Sequence, residues 1–136
     1  MLYDKILDSL SILEEISNHK TEEVIDNRFM LDSMLWNLYV VIQGCIDLGL
    51  KVAAKLNLPT PETYSDLFNI LARFKIIPAE LKDNLISMAK FRNVLAHAYA
   101  TLDVVRIHKN LKTDLMDIKK YLKIISQKLK ELDKNI

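Results

Sequence analysis

Glycine and proline are nearly absent from this chain, with two and three copies respectively in 136 residues. These residues punctuate a chain into short elements, so their scarcity forces long elements and few connections. An all-β fold, which needs frequent turns, is all but excluded. Half of the residues are apolar and 27% are charged, the balance of a folded protein. The length fits one domain with a core of fair size. The expected architecture is therefore all-α. It is a single domain over residues 1–136, a bundle of four to five helices with two long antiparallel members.

Hydrophobic spacing places the elements. Ile6, Leu10 and Leu13, widened by Leu7 and Ile16, make an amphipathic helix from Leu2 to about Asn18. After the polar break Asn18-His19-Lys20, Thr21 reads as an N-cap, with Glu22 and Glu23 favourably placed for the helix dipole. One long helix is expected from Glu22 to Leu56, with Leu31, Leu35, Leu38, Ile42 and Cys45 on one face. Gly44 and Gly49 inside it mark close helix contacts or a bend. Asn57-Leu58-Pro59-Thr60-Pro61 ends the element. A short helix over Tyr64–Lys75 follows, and Pro78 opens another that runs towards His97. The last segment carries a heptad seam, Leu111, Leu115, Ile118, Leu122, Ile125, Leu129 and Leu132, expected to form one wall of the bundle.

The formal net charge is +1 but unevenly spread. Residues 1–50 hold three Lys/Arg against nine Asp/Glu, and the stretch from Val104 onward holds nine against four. The asymmetry reads first as solvated helix faces, and otherwise as charge-matched packing of the chain's two ends or a basic end that helps hold an anionic partner such as RNA. The lone Cys45 is expected as a buried, inert thiol in a reducing cytoplasm. Asp4, Lys5 and Asp8 interrupt any signal peptide, and no uninterrupted apolar run approaches the roughly 20 residues that span a bilayer, so no membrane is expected. Trp36, Phe68 and Phe74 read as core, and His19 and His108 as exposed.

His19, His97 and His108 stand far apart, without a Cys or His neighbour at metal-ligand spacing. No metal and no cofactor are expected. Two isolated glycines cannot build a phosphate-cradling loop. The chemically loaded segment is Arg92-Asn93-Val94-Leu95-Ala96-His97-Ala98-Tyr99. Arginine offers a permanent charge on a planar fork suited to phosphate, and histidine exchanges a proton near neutrality. RNA cleavage without a metal requires these functions: a base on the ribose 2′-hydroxyl, a cation at the phosphorane and an acid at the leaving oxygen. On an ideal helix Arg92 and Tyr99 share a face while His97 points about 140° away. Either the helix distorts near Ala96–Ala100, or a second copy of the segment completes the first. The small Ala96, Ala98 and Ala100 would admit another helix closely, giving a symmetric dimer with two Arg92 and two His97 in one cleft. On residue types alone, a helix end with a satisfied histidine is the better reading.

The run from Phe91 to Tyr99 resembles the Arg-x4-His-x-Tyr motif of HEPN-domain proteins, specifically the HepT-like toxin branch. Asp47, Tyr64-Ser65-Asp66-Leu67-Phe68, the Pro78-to-Met88 run and Asp103 extend the likeness over about residues 20 to 125. An acidic residue that some relatives carry is absent at Ala98. The resemblance implies a cytoplasmic homodimer with the motif in its interface, acting as a metal-independent endo- or exoribonuclease on tRNA or mRNA. Arg92 and His97 match the catalytic positions, with Asn93 and Asp47 as supporting residues. It also implies the toxin of a type VII-like toxin–antitoxin system, whose partner is a nucleotidyltransferase antitoxin that transfers AMP to Tyr99. The alternative within the same fold is a non-catalytic, nucleotide-binding accessory of a nucleotidyltransferase.

Overall fold

A computed structural model describes residues 2–97 and 99–134, with the backbone alone at Tyr99 and Lys134. Among these residues there are six α-helices, one 3-10 turn and no strand: α1 Leu2–Ser17, α2 Thr21–Asp26, α3 Arg28–Lys55, α4 Tyr64–Arg73, α5 Ala79–His97, the turn Tyr99–Thr101, and α6 Val104–Lys134. They fall into two compact units. One comprises Met1–Gly44 with Arg92–Met116, the other Cys45–Phe91 with Asp117–Ile136.

The sixth helix arises because the expected 22–56 helix is broken. Asn27 leaves helical geometry at φ −107° and ψ 103°. Its side-chain oxygen accepts from the Met30 backbone N–H at 3.1 Å, so it caps α3 just as α2 ends. Thr21 is not the N-cap of α2; that position falls on Lys20, which makes no side-chain cap bond. The Thr21 hydroxyl is instead engaged by His108, 2.8 Å from its Nδ1.

In the first unit, α1 buries Ile6, Leu10, Leu13 and Ile16, while Leu7 stays 44% exposed. From α3 come Met34, Leu35, Leu38, Val41 and Ile42, and from α6 His108, Leu111 and Leu115. His108 is buried, not exposed as expected. Its Nε2 donates to the Ile16 carbonyl at 3.0 Å, and its Nδ1 shares a hydrogen bond with the Thr21 hydroxyl at 2.8 Å. The imidazole thereby ties α6 to the end of α1 and the start of α2. A Cβ on Gly44 would fall 2.5 Å from the fully buried Ile6 side chain, so the glycine allows α1 to lie against α3.

In the second unit, Thr63 caps α4 by accepting from the Asp66 N–H at 3.0 Å. This helix buries Leu67, Phe68, Ile70 and Leu71, and the unit also buries Val52 and Ala53 of α3, Leu81 and Leu85 of α5, and Ile118, Tyr121, Leu122 and Ile125 of α6. Tyr121 is fully buried, edge-on to Phe68 at 5.7 Å between ring centroids. Its hydroxyl donates to the Cys45 carbonyl at 2.7 Å. Burial, with the Cys45 side chain beside it, pushes the Tyr121 hydroxyl well above its ordinary range. Cys45 is buried as expected, its thiol pushed up to about 12 by burial. It therefore carries no thiolate at neutral pH and is a packing residue.

A Cβ on Gly49 would stand 2.6 Å from the Tyr121 hydroxyl oxygen and 3.1 Å from a Leu67 methyl. Alanine there gains about 1 kcal/mol of helix propensity. That gain is outweighed by overpacking of about 1–3 kcal/mol and by about 1–3 kcal/mol for the displaced buried hydrogen bond. Gly49→Ala is accordingly expected to lower the urea midpoint, and a variant as stable as the parent would contradict this packing.

The α3 helix is long and apolar enough to cross a membrane by length and composition, with a window of mean hydropathy 1.3. Half of that window is buried inside the protein, the character of a core helix. Polar Asn37, Tyr39 and Gln43 interrupt the helix, so it holds no unbroken apolar run of the roughly 20 residues that span a bilayer.

Candidate functional site

The motif lies at the C-terminal end of α5, within the first unit. There α5 runs antiparallel to α3: Arg92 meets Gln43 and Tyr39, while Leu95 and Ala96 share a groove with Leu35 and Trp36 nearer the start of α3. Arg92 is half-buried. Its Nε donates to Gln43 Oε1 at 2.8 Å, one terminal nitrogen to the Tyr39 hydroxyl at 3.1 Å, and the other to Asn93 Oδ1 at 3.1 Å. The guanidinium carbon also stands 5.3 Å from the Tyr39 ring centroid, within cation–π range. Tyr39 stacks on Trp36 at 5.8 Å with 19° between the ring planes.

Arg92 and Asn93 are thus brought together. His97 is the last residue of α5 and exposed. The helix is regular through that residue, so His97 remains about 140° around the axis from Arg92. Ala98 and the Tyr99 side chain lie outside the described residues; the Tyr99 backbone opens the 3-10 turn. Asp103, four residues further, caps α6 by accepting from the Arg106 N–H at 3.2 Å. Asp47 is exposed on α3, one turn past Gln43, and belongs to the second unit.

Tyr39 and Gln43 were not legible as site residues. The available signal was a polar pair one helical turn apart, flanking the apolar Val40-Val41-Ile42. Trp36, expected in the core, is 63% exposed. It lines an open groove of about 600 Å³ with Asp32, Leu35, Tyr39, Leu95 and Ala96. Phe74 is likewise 45% exposed, beneath Arg73 at 5.4 Å; Phe68 alone of the three is core. Among the described residues no group of three or more His, Cys, Asp or Glu stands close enough to hold a metal ion.

An all-helical fold whose fifth helix carries Arg92 and ends at His97, two residues before Tyr99, fits a HEPN-type domain with its Arg-x4-His-x-Tyr motif. The profile of the ribonuclease HepT-like family matches residues 6–125, and the chain belongs to that family. It is 29% identical over 94 residues to the mRNA nuclease HepT of Shewanella oneidensis, an alignment covering 69% of this chain and 71% of that protein. The fold is similar to that of a toxin–antitoxin structure of MntA–HpeT in mutant form, with TM-score 0.79, 23% identity, and coverage of 93% of this chain and 98% of that one. It is also similar to the tri-AMPylated Shewanella oneidensis HEPN toxin in complex with its MNT antitoxin, with TM-score 0.71, 23% identity, and coverage of 91% and 98%. The chain is a homologue of the HepT-like toxins.

Proposed function

We propose that this chain is the ribonuclease toxin of a toxin–antitoxin pair, a cytoplasmic homodimer that cleaves RNA without a metal and is silenced by AMP transfer to Tyr99. The observation that carries the reading is an arginine held on three sides at the family's motif position, five residues before an exposed histidine. Arg92 would hold the scissile phosphate and neutralise the charge that develops there. His97 would act as base towards the ribose 2′-hydroxyl or as acid towards the departing 5′-oxygen.

One copy does not put both groups on one side of α5, since the helix stays regular through His97. A symmetric pair of these segments supplies two arginines and two histidines to one cleft, and with them both a base and an acid. The exposed Trp36 and Val94 near the segment, and the small Ala96, support close approach of a second copy. Asn93 supports the site by its bond to Arg92; Asp47 is kept as a supporting residue on the strength of the resemblance. Tyr99 would accept the nucleotide, and phosphates added there would fill the cleft with negative charge and exclude the RNA backbone from Arg92. The partner is then a nucleotidyltransferase antitoxin, as the MNT antitoxin is for the Shewanella toxin.

Expression of the chain alone, without an antitoxin, is expected to arrest growth, and expression of its Arg92→Ala variant is expected not to. A harmless wild-type chain at equal abundance, with no added mass on Tyr99, would instead identify a non-catalytic, nucleotide-binding partner.

A further inference from the structure

We infer that Gln43 is a positioning residue for Arg92: with Tyr39 it fixes the plane in which the guanidinium meets the phosphate. The inference rests on the reading of Arg92 as the phosphate-binding group. A free arginine side chain carries about 2 kcal/mol of rotamer entropy, and a group that must meet a transition state gains from being ordered beforehand. Here all three guanidinium nitrogens are engaged. The Nε–H bond to Gln43 is the shortest at 2.8 Å, and it fixes the side of the fork that faces α3. Because arginine only donates, the Gln43 amide must present its oxygen, which settles its orientation.

The Tyr39 hydroxyl takes a second nitrogen, one turn earlier on the same helix face. Its ring is itself held by the stack on Trp36. Rotation of the guanidinium about its last bond would break two bonds made to α3 and one made to Asn93 on its own helix. Each of these three partners is a neutral acceptor, so these bonds orient the guanidinium without pairing its charge. An acidic side chain at position 43 would give the same hydrogen bond but compete with the phosphate. This separates geometry from charge, and the two predict different kinetic losses.

The test compares the purified full-length chain with its Gln43→Met and Gln43→Glu variants on a defined single-stranded RNA. Arginine Nε–H resonances are recorded in parallel. The four arginines give four such signals, and Arg92→Lys identifies which belongs to Arg92. In Gln43→Met the Arg92 signal is expected to move to the position and fast hydrogen exchange of an exposed arginine. The kcat is expected to fall about 10–100-fold while KM stays within about threefold. Gln43→Glu is expected to keep the ordered signal and to raise KM. The thermal midpoint should stay within a few degrees in both, as for a half-buried polar side chain. An unmoved Arg92 signal in Gln43→Met, or an active wild type matched by an equally active Gln43→Met, overturns the positioning role alone. A wild type inert on RNA overturns the ribonuclease reading and this role with it.

Discussion

Replacement of His97 by alanine is expected to slow RNA cleavage by about 10²–10⁴-fold, the contribution of a positioned general acid or base. The substitution should leave stability unchanged, because His97 is exposed at the last position of α5 and surface changes usually shift stability by less than about 0.5 kcal/mol. RNA binding should also persist, since in the proposed site the phosphate would be held by Arg92. Arg92→Ala should differ in kind. It removes the cation and leaves the oxygens of Gln43 and Tyr39 without their donor, so both binding and the chemical step should fall. Single-turnover cleavage with excess protein, alongside RNA-binding isotherms, distinguishes the two. A His97→Ala chain that cleaves at the wild-type rate would remove the histidine from the mechanism.

The largest effect on stability is expected at Tyr121. Its ring is fully buried and edge-on to Phe68, and its hydroxyl reaches the Cys45 carbonyl in space that Gly49 leaves open. Tyr121→Ala removes the ring and creates a cavity, a change that costs about 3–5 kcal/mol. Tyr121→Phe keeps the packing and loses only the hydroxyl, for about 1 kcal/mol plus the desolvated carbonyl. Urea titrations should therefore rank wild type above Tyr121→Phe and Tyr121→Ala far below both. A loss under about 1 kcal/mol for Tyr121→Ala would mean that this cluster is not the core of the second unit.

How much of this was legible in the sequence follows from what determines each feature. Elements set by local spacing were readable: α1, α4, α5 and the α6 seam lie where apolar periodicity and Pro78 put them. The α2–α3 break was not, because Asn27 was counted as helix interior although it is a preferred capping residue. His108 lies three positions before Leu111 and continues the seam by the same four-and-three alternation. It was overlooked because histidine is usually found nearer the surface. Trp36 shows the opposite error, since a large aromatic was assigned to the core by type. Its face of α3, shared with Asp32 and Tyr39, carried the better information.

At the candidate site, Arg92, Asn93, His97 and Tyr99 were legible as candidates because the motif packs them into eight residues. Tyr39 and Gln43 escaped because their partner lies 53 and 49 residues away. No local spacing links them to it; only the antiparallel course of α3 and α5 does. The break at Asn27 also explains why the described residues form six helices where four to five were expected, without a change of fold class.

The central claim, a ribonuclease that works through Arg92 and His97 without a metal, is tested most directly by incubating purified wild-type chain with a total tRNA and mRNA pool in excess EDTA. The account predicts cleavage at a rate unaffected by the chelator, abolished in the Arg92→Ala chain. Cleavage that disappears in EDTA and returns with a divalent cation would contradict it.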